Sequence, residues 1–178
     1  MANCCAFEMK VKGRQKDLLE FVSVIRYQHP DMCFCRVGVE ELWFEDGSLF
    51  VNGEVAWSLL YGFMPFGGKK DSAGHEIADI NEVSKKLHLE VEMFSTEIGI
   101  GFQEHFIFCD GKKVMMNCID YCECYYDPDE YSDELTDEER FEAFKYDYRL
   151  SKDVSIDDLD EDGYYISGGV ENYGVWTI

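Results

Sequence analysis

The chain has 178 residues, a formal net charge of −21, 46% hydrophobic and 15% aromatic composition, enough for one domain, or one with a sizeable extension, and too rich in core formers for wholesale disorder. A balance this acidic repels duplex DNA and anionic membranes, which argues against direct nucleic-acid binding, and it draws a basic protein surface or a cation. The same charge also serves solubility. No apolar run reaches the roughly 18 residues of a membrane span. The opening MANCCAFEMKVKG has no basic stretch followed by an apolar core, so no export signal is expected. The eight cysteines are then expected to be reduced, in a cytoplasmic, cytosol-like compartment.

Ala6 to Lys12 alternates as a strand that Gly13 closes, and Leu18, Phe21, Val22 and Ile25 recur at helical spacing, predicting a helix over 16–28 that ends before Pro30. Leu42 and Phe44 lead to a tight turn at Asp46-Gly47, a strand follows through Leu49 and Val51, and Asn52-Gly53 reads as another turn. Glu54 to Tyr61 reads as a strand, Gly67-Gly68 as a loop, and Ile77, Ile80, Val83 and Leu87 as a second helix. Leu89, Val91 and Met93 alternate with Glu90 and Glu92, the pattern of a strand buried on one face. Strands around Phe102 to Phe108 and Val114 to Tyr121 are joined at Asp110-Gly111 as a hairpin. This order predicts an α+β fold: a ferredoxin-like split βαβ antiparallel sheet with helices on one face, extended by a hairpin.

Asn3, Cys5 and Gly13, with apolar residues alternating between them, resemble the start of the YubB-like ferredoxin-fold family of phages and plasmids. That start commonly reads Asn-Trp-Cys before a strand ending in Gly, and here Cys4 stands at the Trp position. The likeness continues through Ala56-Trp57-Ser58 and Phe102 to His105. It implies a small α+β fold of mobile-element origin and brings no catalytic residues.

The remaining segment is the anomaly of the chain. Residues 120–162 hold 18 Asp and Glu against four basic residues, two thirds of the net charge in a quarter of the length. Tyr121, Tyr125, Tyr126, Tyr131, Phe141, Phe144, Tyr146 and Tyr148 are threaded through it, which gives the segment something to bury. Residues 1–119 are accordingly expected to form the α+β domain, and 120–178 an acidic, aromatic-rich extension packed on it. Thr136 with Glu139 fits a capping box, predicting a helix from about Asp137 to Tyr148 with Phe141, Phe144 and Tyr148 as its stripe. Acids in its first turns suit the helix dipole. That does not account for Asp127, Asp129, Glu130, Asp133 and Glu134 before it. Tyr164 to Ser167 and Tyr173 to Ile178 read as a closing pair of strands around Gly168-Gly169.

Few motifs carry chemistry. Asp158, Asp160, Asp162 and Gly163 match the first half of a Ca²⁺ loop, D-x-D-x-D-G, but position twelve is Gly169 where a bidentate Glu belongs, and Glu171 is out of register. Cys33, Cys35, Cys118, Cys122 and Cys124 lack the two-residue spacing of paired zinc thiolates, so burial as small hydrophobes is the preferred reading. His29, His75, His88 and His105 do not cluster. His75-Glu76 opens like a zincin helix, but Asp79 stands where the second His belongs. Glu104 and His105 are neighbours on a strand and should face opposite ways. Gly67-Gly68-Lys69-Lys70 lacks phosphate-loop spacing. No enzyme is expected.

The sequence therefore predicts a non-enzymatic acidic binding protein that stands in for nucleic-acid phosphates. Asp127, Asp129, Glu130, Asp133, Glu134, Asp137, Glu138 and Glu142 are its contact residues. Its partner would be a basic nucleic-acid-binding protein such as a guide-RNA nuclease, making it an inhibitor of anti-CRISPR type. The alternatives are a mobile-element housekeeping module with solubilising charge and a Ca²⁺ protein built on Asp158, Asp160 and Asp162. Exposed aromatics would also suit self-association.

Overall fold

The computed structural model describes residues 4–64, 70–97, 99–169 and 172–178, without the side chains of Cys122 and Ser167. Asn3, the Gly67-Gly68-Lys69 stretch and Glu171, each used above, lie outside the described residues. Mixed α+β structure around a large antiparallel sheet makes up the chain, in two compact units: Met1–Ile119 with Val170–Ile178, and Asp120–Gly169.

In the first unit β1 (Cys4–Lys12) leads into α1 (Gln15–Ile25), then the short β2 (Met32–Cys33), β3 (Val37–Glu45), β4 (Ser48–Ala56) and α2 (Leu59–Phe63). After these come β5 (Glu76–Ile77), α3 (Ile80–Leu87), β6 (Glu90–Glu97), β7 (Phe102–Cys109) and the start of β8 (Lys112–Tyr125). The sheet runs β3-β4-β1-β6-β7-β8, with β1 antiparallel to both β4 and β6. Alternation dictates its inner face. Cys5, Phe7, Met9 and Val11 of β1 are buried in one cluster with Leu18, Phe21, Val24 and Ile25 of α1 and Ile80, Val83 and Leu87 of α3. The parallel pair β2–β5 forms a separate two-stranded sheet.

Asp46-Gly47 and Asp110-Gly111 make the expected turns, each with both residues at positive φ. Other expectations are corrected. The first helix ends at Ile25, three residues early, and Tyr27 follows at φ 58°. Ile77 lies in β5, so the second helix starts only at Ile80, where Asp79 caps it through the Asn81 N–H at 2.7 Å.

Asn52-Gly53 is not a turn. It sits inside β4 opposite a bulge in β3, where the register slips between Val39 and Glu41. Asn52 Oδ1 accepts the Glu41 N–H at 3.0 Å, filling the bulge, and any Cβ at position 53 would run into the Gly38 carbonyl. Nor does Glu54 to Tyr61 continue as strand. Trp57 takes φ 76°, Ser58 caps α2 by accepting the Tyr61 N–H at 3.3 Å, and the chain turns helical.

Tyr173 to Ile178 forms no strand. It lies on the outer face of the sheet in the first unit, where the Tyr173 and Trp176 rings stand 5.0 and 5.1 Å from Phe94 and the Lys10 ammonium donates to the Ile178 carbonyl at 2.5 Å. Glu92 is therefore fully buried, and β6 is covered on both faces rather than one.

Candidate functional site

The second unit is built from the outset on its aromatics. The end of β8 pairs antiparallel with β9 (Tyr164–Gly168), and α4 (Asp137–Asp147) follows a 3-10 turn at Pro128–Glu130. Cys124, Tyr126, Phe141, Phe144 and Val154 are its buried core, with Tyr131, Leu150, Leu159 and Tyr165 packed around them. The Tyr126 ring stands 5.2 Å from Phe141 and 5.1 Å from Phe144. The expected capping box is present: Thr136 Oγ1 accepts the Glu139 N–H at 3.3 Å, and the Glu139 carboxylate accepts the Thr136 N–H at 2.9 Å. Those contacts from Thr136 hold the Glu139 carboxyl below the usual range. Of the expected stripe, Phe141 and Phe144 are buried, whereas Tyr148 is half exposed against Phe144.

Lys145 ties the helix to the chain that follows. Nearly buried, its ammonium donates to the carbonyls of Lys152 and Val154 at 3.3 and 3.2 Å, meets Glu142 at 2.6 Å and sits 5.5 Å over the Phe141 ring.

On this frame stand the acids singled out above. Asp129, Glu130, Asp133, Glu134, Asp137, Glu138 and Glu142 are exposed, and Asp127 is half-buried because it caps the 3-10 turn, accepting the Asp129 N–H at 2.9 Å. They issue from one run of chain: the turn, its connecting loop and the first turns of α4. Arg140 reaches Asp133 and Asp137 only at 3.6 and 3.8 Å, and both carboxylates stay open to water. Such exposed pairs are worth at most about 1 kcal/mol. Asp129, Glu130, Glu134 and Glu138 have no basic partner within 4.0 Å among the described residues. Tyr146, one helical turn beyond Glu142, stands 84% exposed.

No family model, curated protein or solved structure matches this chain.

Asp158, Asp160 and Asp162 do not converge. Asp158 Oδ2 accepts from the Ser155 N–H and hydroxyl, and Asp160 Oδ1 from the Asp162 and Tyr164 N–H groups at 3.0 and 2.8 Å. The first two carboxylates are thus engaged in closing their own turns. Among the described residues, three metal-ligating side chains do come together elsewhere. The donor atoms of Cys33, Asp71 and His75 lie within 4.8 Å of one another.

Glu92 and Glu104 are the most deeply buried acids among the described residues of the first unit. Glu104 and His105 do face opposite ways. Glu104 takes the Leu59 N–H at 2.7 Å and the Ser95 hydroxyl at 2.6 Å, and burial pushes its carboxyl up. His105 Nε2 pairs instead with Glu92 at 2.8 Å, on the adjacent β6 and two residues from Phe94, which lies opposite His105. Glu92 also accepts the N–H groups of Thr177 and Ile178 at 2.6 and 3.0 Å and the Thr177 hydroxyl at 2.9 Å. Burial alone would raise this carboxyl, but these donors, Ile178 and Thr177 first, bring it below the ordinary range. Both acids are held by the fold: one steadies α2, the other the chain terminus.

Proposed function

We propose that this protein is a non-enzymatic binding protein whose carboxylates replace nucleic-acid phosphates in the basic groove of a nucleic-acid-binding partner. Its sharpest form is an inhibitor of a guide-RNA nuclease, of phage or mobile-element origin. One observation carries the reading: seven exposed carboxylates leave one short stretch of chain that is anchored on a shared aromatic core. Duplex DNA offers one charge per about 1.7 Å of axis on a stiff frame. A protein can compete only if its charges are fixed before binding, because ordering a loose chain would consume the affinity gained. Here Asp127, the capping box and Lys145 fix the backbone that bears them.

The chemistry suits arginine above all. Guanidinium groups pair bidentately with carboxylates and stack on aromatic rings, and exposed Tyr146 lies one helical turn beyond Glu142. The weak Arg140 pairs could exchange for partner contacts at little cost.

The finer fold reading that accompanies this proposal is the ferredoxin-like one. It is supported by the order β3-β4-β1-β6, all antiparallel, with α1 between β1 and β3 and α3 between β4 and β6.

A competition assay tests the function. Loaded guide-RNA nucleases are mixed with labelled target duplex and increasing amounts of the protein. The reading predicts DNA displacement by at least one effector, weakening as salt rises from 0.05 to about 0.5 M and the screening length shrinks. Absence of displacement across a representative panel at low salt would refute the nuclease form.

A further inference from the structure

We propose that Cys33, Asp71 and His75 form a Zn²⁺ site in the first unit. It is independent of the acidic surface. The Asp71 carboxylate stands at its centre, with Oδ2 3.0 Å from His75 Nδ1 and 3.8 Å from Cys33 Sγ. Tetrahedral Zn²⁺, with bonds of about 2.3 Å to sulfur and about 2.1 Å to nitrogen and oxygen, sets neighbouring donors about 3.3 to 3.8 Å apart. The observed separations bracket that range. The three donor atoms lie within 4.8 Å of one another, a group that Cys35, two residues beyond Cys33, does not join.

Three pieces of chain converge to make this arrangement. The pairing of β2 with β5 sets Cys33 opposite Ile77, and the Ala78 N–H donates to the Cys33 carbonyl at 2.8 Å. Phe34, between the two cysteines, is anchored in the core 6.0 Å from Phe21 and 5.0 Å from Phe63. Asp71 is oriented by its other oxygen, which accepts the Ala73 and His75 N–H groups at 2.9 and 2.8 Å. The Tyr27 ring meets His75 edge-on at 5.1 Å and fixes the plane of the imidazole. Such supporting contacts are what hold metal ligands in position.

The mixed sulfur, nitrogen and oxygen donors suit borderline-soft Zn²⁺ better than Ca²⁺ or Mg²⁺, which want oxygen alone. Cys33 and Asp71 are nearly closed off and His75 is a quarter exposed, so the ion would enter from the imidazole side. Three protein donors with a bound water would complete the tetrahedron around an ion that ties these segments together. Its service is evident from the sheet it fastens: β2 and β5 have two residues each, too few to hold by themselves.

The test uses the full chain, stripped of metal and titrated with Zn²⁺ and separately with Co²⁺. The proposal predicts one Zn²⁺ per chain, a higher melting temperature, and sulfur-to-cobalt charge-transfer absorption in the near ultraviolet. His75→Ala and Asp71→Asn should each weaken Zn²⁺ binding at least tenfold, whereas exposed Cys118→Ser should not change it. The wild-type cobalt spectrum decides the matter even if a variant misfolds. No stoichiometric Zn²⁺, no thiolate band, or full affinity in folded His75→Ala would overturn the proposal.

Discussion

Glu92→Ala probes how the chain terminus is held. The wild-type carboxylate is fully buried and accepts four hydrogen bonds, from Thr177 N–H, Ile178 N–H, the Thr177 hydroxyl and His105 Nε2, at 2.6 to 3.0 Å. Truncation leaves two backbone donors and an imidazole buried without their acceptor. Removing one member of a buried, hydrogen-bonded pair costs about 3–5 kcal/mol, and bonds to a charged group are worth about 1.5–3 kcal/mol each before relaxation. Because residues 172–178 can lift into water and recover part of that, about 3 kcal/mol is expected. Urea unfolding monitored by circular dichroism measures it, and amide exchange of Thr177 and Ile178 locates it. The pH dependence has a defined sign. Glu92 titrates below its unfolded value of about 4.3. Its contribution is therefore complete above that value and is lost as pH falls through the lower folded one. A loss under about 1 kcal/mol with unchanged exchange at Thr177 and Ile178 would refute this reasoning.

Other outcomes follow from single contacts. Gly53→Ala forces a methyl against the Gly38 backbone at the β3 bulge and should cost about 1–3 kcal/mol by chemical denaturation. Thr136→Ala removes the helix cap and should cost the second unit about 1 kcal/mol, read from amide exchange in α4, with Thr136→Ser nearly neutral. Lys145→Met keeps the stem packed but frees the carbonyls of Lys152 and Val154, so exchange around them should rise while α4 stays protected.

Local signals were legible where local chemistry decides. Asp46-Gly47 and Asp110-Gly111 are read as hairpin turns because both residues must take positive φ, and Thr136 with Glu139 is read as a helix start because the motif closes on itself. Asn52-Gly53 carries the same turn signature, yet its glycine serves the close approach of another strand, a demand visible only once β3 lies beside it. Trp57 at positive φ breaks an apolar run that alternation would continue. Glu92 reads as solvent-facing because its cover comes from Thr177, 85 residues on. The Cys33, Asp71 and His75 cluster was missed for the same reason: Asp71 is 38 residues from Cys33 and sits in no ligand motif. The acids of the second unit, by contrast, were legible from composition, since aromatics interleaved with charge announce a surface with something to anchor it.

The central claim is tested by neutralising Asp127, Asp129, Glu130, Asp133 and Glu134 together as Asn and Gln, which keep the turn-closing acceptor of Asp127. Affinity for the nuclease that the wild-type protein inhibits is measured by calorimetry at low salt, with circular dichroism as the check on folding. The account predicts a folded variant that has lost binding at least a hundredfold together with most of the salt dependence. A folded variant that binds as tightly as wild type would contradict it.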